Sequence, residues 1–231
     1  MADHYSYVAA ALSKTGRRTE ARAAFEQARA INQRLLAANA PSAIWPDFRV
    51  AIALNDKSLA GVDRLAGRVD EARAGYSRAI AALEEWLKAH PKYLVGRMAL
   101  ADSFSSLGLL ECRAGRFAEA ATATRRAMEL YASQPPRHFG ILFARACCHA
   151  VLAELAGKEG TAVPANAASD EAAKAMDLLQ RSVAGYYPIH ALRTEPALDS
   201  LRQREDFKKL VLDVEAKIKA NELAGTEKTV K

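Results

Sequence analysis

The chain has 231 residues with 33 Lys+Arg against 27 Asp+Glu, a formal net charge of +6; half of it is apolar but only 7% is aromatic. Alanine supplies 50 residues against 12 glycines and 8 prolines, and Val, Ile and Thr never cluster, which excludes a sandwich or barrel and predicts an all-α chain. No apolar run approaches the roughly 18 to 20 residues of a bilayer-spanning helix, and Met1 to Ser6 is no basic leader, so a cytoplasmic chain with no membrane partner is expected.

In chain order, a first helix pair is predicted over 3–40. Its second helix, Arg18 to Asn39, has no Pro or Gly and carries Ala21, Ala24, Phe25, Ala28, Ile31 and Leu35 on one face. A second pair spans 46–90: Pro46 opens a long helix running to Ala66, and Ala72, Tyr76, Ala79, Leu83, Trp86 and Leu87 form the apolar stripe of its partner. Pro91 separates a third pair, 92–134, which Pro135 and Pro136 close. A degenerate fourth pair, 138–185, has a helix Phe139 to Leu155, a loop Ala156 to Ala168, and Ser169 as N-cap of a helix bearing Ala175, Leu179 and Ser182.

Past Tyr186-Tyr187-Pro188, a cap is predicted over 196–220. A short segment buries Leu198 and Leu201; Asp206 then opens a helix with Phe207, Leu210, Val211, Val214 and Ile218 inside and Lys208, Lys209, Lys217 and Lys219 in solvent. Residues 221–231 read as a flexible tail. The pairs and the cap together make one expected domain, 1–220.

The pairs share a motif, Gly-Arg-x-x-Glu-Ala, at Gly16, Gly67 and Gly115, which stand 51 and 48 residues apart. Eight residues before each Gly is an aliphatic residue (Val8, Leu59, Leu107) followed by a small one (Ala9, Ala60, Gly108); after it come Phe25 and Ala28, Tyr76 and Ala79, Thr124 and Ala127. The Gly is expected to take a left-handed conformation that ends one helix and admits the next. The Glu falls in the first turn of the second helix, where exposed N–H groups favour negative charge. The Ala, aromatic and Ala lie on one face, where small residues allow close helix approach.

These positions resemble the tetratricopeptide repeat (TPR), with a period longer than its roughly 34 residues. The implied fold is an all-α, TPR-like superhelix of long antiparallel pairs with a C-terminal capping helix. The stretch from Ala146-Cys147 through the loop to Arg181-Ser182-Val183-Ala184-Gly185-Tyr186, then Leu192 to Arg202 and Glu205 to Leu210, further resembles the C-terminal repeat region of planctomycete-type serine/threonine kinases. That resemblance implies either the detached end of such a kinase or a free-standing relative.

No catalytic residue carries over. A Gly-rich loop, His-Arg-Asp and Asp-Phe-Gly are all absent from the sequence; Asp47-Phe48 and Asp206-Phe207 continue into Arg and Lys. Cys147-Cys148-His149 point in different directions on a helix and lack further ligands, so core packing is expected in place of a metal site, and no cofactor is expected. The odd number of cysteines favours free thiols, His4, His90, His138 and His190 read as surface or loop residues, and Glu84-Glu85 and Asp170-Glu171 read as solvated faces.

What remains is a surface. The TPR resemblance implies a groove lined by the first helix of each pair: Ser6, Ala10, Ser13 and Lys14, then Lys57, Gly61 and Arg64, then Ser105, Leu109, Cys112 and Arg113. Lys14, Lys57, Arg64 and Arg113 would suit an acidic peptide or a free carboxylate. Ser6 and Ala10 stand where chaperone-clamping TPRs carry Lys and Asn, which disfavours that ligand. The expected function is a non-catalytic protein-interaction scaffold serving a signalling kinase. The alternatives are an enzyme with a diffuse site on an α-solenoid, or a weak nucleic-acid binder, which would need aromatics interleaved with its basic residues.

Overall fold

The computed structural model describes residues 2–39, 47–133, 139–184 and 189–229, with side chains up to Asn221. Regular structure among these residues is helical throughout. Ten α-helices follow in order: α1 Ala2–Lys14, α2 Arg18–Ala37, α3 Phe48–Leu65, α4 Val69–Ala89, α5 Leu94–Arg113, α6 Phe117–Ala132, α7 Phe139–Leu155, α8 Ala168–Val183, α9 Ile189–Thr194 and α10 Glu205–Thr229. The helices expected to start at Pro46 and stop before Pro135 and Pro136 have those prolines outside the described residues, as have His138 and the Tyr186-Tyr187-Pro188 link. The chain packs as two units, Met1–Leu130 and Tyr131–Lys231.

In the first unit the three motif glycines end α1, α3 and α5 with φ of +77°, +75° and +75°. After α3, the Gly67 N–H donates to Arg64 O and the Arg68 N–H to Asp63 O, at 3.1 and 2.9 Å; the Gly115 turn repeats the pattern onto Cys112 and Glu111. Two otherwise orphaned carbonyls are satisfied at each turn, in the Schellman arrangement. Only Gly holds that left-handed backbone without the roughly 1 to 2 kcal/mol cost of a Cβ. At the α3 N-terminus, Asp47 caps the helix by accepting from the Arg49 N–H at 2.7 Å.

The Ala, aromatic and Ala of the first two pairs are all buried, as are Ala120, Thr124 and Ala127 of the third. Leu59 and Val62 of α3 pack on Ala9, Ala21 and Phe25; Leu110 of α5 packs on Ala60, Ala72 and Tyr76. Each of these two pairs therefore buries its second helix under the first helix of the next, and a ring such as Phe25 contributes about 1.5 to 3 kcal/mol on burial. A further cluster joins Val50 and Ala53 to Ile80, Leu83, Trp86, Ala99 and Leu100. Close approach has its own residues: a Cβ on Gly75 would lie 2.8 Å from that of Ala60, and one on Gly108 only 2.4 Å from Thr124 Oγ1.

The second unit pairs α7 with α8, and Ala175, Leu179 and Ser182 are buried. Ser169 is not the N-cap: a 3₁₀ turn, Ala165–Ala167, leads straight into α8, and Ser169 lies inside its first turn. Gly157, with φ +75°, is a fourth turn glycine, but its N–H donates to Val163 O at 2.9 Å across the loop that follows. A 3₁₀ helix, Pro196–Leu201, buries Leu198 and Leu201 and packs on α7. Helix α10 buries Phe207, Leu210 and Val214. Its backbone stays helical past Asn221, where a tail was expected.

Candidate functional site

Helices α1 and α3 each turn one stripe towards a common cleft of about 260 Å³ in the first unit. Asp3, Ser6, Tyr7 and Ala10 come from α1, and Ala51, Leu54, Asn55 and Ser58 from α3; Phe25 and Asn32 of α2 complete the lining. The two stripes have the same i, i+3, i+4, i+7 spacing, which puts each set on a single helical face. Asn32 and Asn55 are both buried, and the Ser6 hydroxyl donates to Asn55 Oδ1 at 3.0 Å, fixing α1 against α3. A side-chain amide offers donors and an acceptor, the complement of a peptide unit. Tyr7, at the rim, is 78% exposed.

Ser6 and Ala10 are the sequence-predicted groove residues that line this cleft. The others lie elsewhere. Lys57 donates to Asp102 of α5 at 3.2 Å, so its charge is already paired. Leu109 is 5% exposed and belongs to the core, as does Cys112. Arg64, Ser13 and Ser105 are half-buried, Lys14 and Arg113 are exposed, and Gly61 sits over the Tyr76 hydroxyl. Asp3 is the one formally charged residue of the described lining. The sequence reading missed Asn32, although it extends the Ala21, Phe25, Ala28 stripe by one turn with a polar residue.

Three buried carboxylates of the first unit were also missed by sequence reasoning. Asp63 takes Arg68 Nε at 2.8 Å from its own turn and Arg22 Nε at 3.1 Å from the preceding α2. Glu111 takes Arg73 Nε at 2.6 Å from α4, and Arg116 lies 3.5 Å away. Asp56 is held between Arg29 at 3.0 Å and Arg78 at 3.3 Å; burial nevertheless pushes its carboxyl above the ordinary aspartate value, because the two guanidiniums offset only part of the desolvation. In two of the three copies the motif Glu has a second partner besides the helix N-terminus: Arg17 pairs with Glu20, and Arg116 with Glu119 at 2.9 Å.

In the second unit, Cys147, Cys148 and His149 are buried, and burial pushes the Cys147 thiol well up, so it packs as a small apolar group. The Asp170-Glu171 reading needs correcting. Glu171 is not a solvated acid: its Oε2 lies 2.6 Å from His149 Nδ1, and Lys174 donates to its Oε1 at 3.0 Å. A more open hollow of about 400 Å³ between α9 and α10 is lined by Arg193, Arg202, Phe207, Lys208, Val211, Leu212 and Glu215. Its cations are paired with Glu215, Asp199 and Glu205. Among the described residues, no helix is long and apolar enough to cross a membrane, and no cluster of His, Cys, Asp and Glu is placed to hold a metal ion.

No family model and no curated protein matches the chain. Among solved structures, it is similar to a putative kinesin light chain of Podosopora anserina with nearly identical TPR-like repeats. That likeness has 17% identity and a TM-score of 0.48, covering 94% of this chain and 95% of that one. A glutamine-to-methionine form of the same protein matches at 17% identity and 0.48 over 93% and 92%.

Proposed function

We propose that the chain is a non-catalytic interaction scaffold that holds a segment of a partner protein in the cleft between α1, α2 and α3. The carrying observation is the composition of that cleft: two buried carboxamides, two serine hydroxyls and the apolar Phe25, Leu54, Ala10 and Ala51 on one concave surface. Such a lining matches an extended backbone with alternating side chains better than it matches a reactive centre, which needs a nucleophile or an acid and base at contact distance. Association with a serine/threonine kinase is the finer part of the proposal; the Ala146 to Leu210 stretch supports it by resemblance.

Filling the cleft tests the reading. Ala10 is exposed at the rim, so Ala10→Trp should leave the melting temperature unchanged while the indole occupies the space. Pull-down from the source cell should recover a partner with wild type and lose it with Ala10→Trp. Equal recovery by both proteins places the binding surface elsewhere. A reading frame that continues upstream into Gly-rich-loop and His-Arg-Asp motifs tests the kinase association.

A further inference from the structure

The cleft contains buried amide groups that the fold itself does not satisfy. Asn32 of α2 lines it and is 2% exposed, yet its carboxamide makes no hydrogen bond to any described residue. Asn55 of α3, 4% exposed, gives its Oδ1 to the Ser6 hydroxyl at 3.0 Å, and no described residue takes a hydrogen bond from its Nδ2. Asn32 Oδ1, Asn32 Nδ2 and Asn55 Nδ2 are thus left for a ligand. Buried amides without partners are rare in folded proteins because each one forfeits its bonds to water. The depth of Asn32 decides what can reach it: a side chain entering the cleft can, whereas a backbone crossing the rim at Tyr7 and Ala10 stays outside.

The entering group must accept from an N–H2 and donate to a carbonyl oxygen. Ammonium and guanidinium groups only donate, and a carboxylate only accepts. A carboxylate would also bring a charge into a cleft whose described lining holds no cation, since Lys14, Lys57, Arg64 and Arg113, on which the expectation of an acidic segment depends, all lie outside it. A primary carboxamide is neutral and does both, pairing with Asn32 through two parallel bonds and leaving an oxygen lone pair for Asn55 Nδ2. We infer that the cleft admits a glutamine side chain of the bound segment, its carboxamide on Asn32 and its two methylenes against Phe25 and Leu54. Asparagine, one methylene shorter, reaches less deeply. The inference rests on the cleft being the binding site.

The test is a combinatorial library of short immobilised peptides probed with the full chain, with binding peptides remeasured by fluorescence anisotropy as Gln, Asn, Glu and norleucine versions. The expected binders share a Gln. Replacing it by Glu or by norleucine should weaken binding about tenfold or more, because either change leaves a buried amide atom of the site unpaired. Asn32→Leu should keep or raise the melting temperature, since it removes an amide that the fold leaves unpaired, and should reverse the order so that norleucine binds more tightly than Gln. Binders that Ala10→Trp blocks but that tolerate norleucine, or that still prefer Gln in Asn32→Leu, overturn the glutamine inference and leave the cleft standing. A lowered melting temperature of Asn32→Leu shows the amide already engaged within the fold and overturns it as well. If Ala10→Trp blocks none of the binders, or the library yields none, the cleft reading falls and this inference with it.

Discussion

Arg73 of α4 reaches into the next helix pair and donates to Glu111 of α5, Nε to Oε1 at 2.6 Å and a second nitrogen to Oε2 at 3.1 Å. Glu111 is 3% exposed, so its charge is out of water and depends on that guanidinium. Asp63, 4% exposed, likewise takes an arginine from the preceding pair, Arg22, beside Arg68 of its own turn.

Breaking such a pair from one side should cost more than replacing it. Arg73→Ala leaves Glu111 with only Arg116 nearby, and a loss of about 3 kcal/mol is expected. The double change Arg73→Leu, Glu111→Leu removes both charges and should recover most of it. Urea titration of the single and double variants gives the coupling directly; additive losses would show that the pair contributes nothing between repeats.

Two glycines separate conformational need from space. Gly67 has φ +75° and open surroundings, whereas a Cβ on helical Gly61 would meet the Tyr76 hydroxyl at an ordinary 3.7 Å. Gly67→Ala should therefore destabilise by about 1 to 2 kcal/mol through backbone strain alone. Gly61→Ala should be neutral or stabilising by up to about 1 kcal/mol. Equal shifts in the thermal melts of the two variants, or a reversed order, would remove the left-handed turn from the account.

At Gly108 the limit is room. An added Cβ would meet Thr124 Oγ1 at 2.4 Å and backbone atoms at 3.2 Å, so Gly108→Ala should cost about 1 to 3 kcal/mol by overpacking. Thr124 stands where the first two pairs carry Phe25 and Tyr76. Combining Gly108→Ala with Thr124→Ala should restore part of the loss, and a double variant no more stable than Gly108→Ala alone would mean the backbone contacts set the limit.

Acid stability carries a signature of the second unit. Burial opposes ionisation of Glu171, but hydrogen bonds from His149 and Lys174 outweigh it and hold the carboxyl below the ordinary glutamate value of 4.5. A lowered folded-state value contributes stability above the unfolded value, and that contribution is lost as pH falls through the folded one. Glu171→Gln should thus be less stable than wild type at neutral pH, by about 1 to 2 kcal/mol, with the gap closing as the pH falls below 4.5. A gap that stays constant down the acid range would show that the carboxylate is not the source.

The helix pairs were legible because their signals are local. Each glycine turn and each Ala, aromatic, Ala stripe lies within a few residues of its motif, and even Thr124 kept its buried place without its ring. The α8 start was misread because Ser169 matches a cap by type, while the 3₁₀ turn before it already supplies the helical geometry. The cleft and the carboxylates were harder to see, since Ser6 meets Asn55 and Arg73 meets Glu111 only after the pairs stack. Their trace was nonetheless periodic: an acid stands four residues before Gly67 and Gly115, and an Arg six residues after Gly16 and Gly67. Lys57 was assigned to a groove because its partner Asp102 is on the following pair.

The ionic contacts also give the three pairs of the first unit unequal standing as building blocks. The first offers Arg22 forwards but has Leu12 where an acid would receive from behind; the third receives at Glu111 but has Ala121 where the forward arginine would be. The middle pair does both, through Asp63 and Arg73. A tandem copy of the middle pair would consequently find its own complement at the new junction, while a copy of either neighbour would set an apolar residue opposite a charge. Gene duplication could lengthen this array from its centre more readily than from its ends.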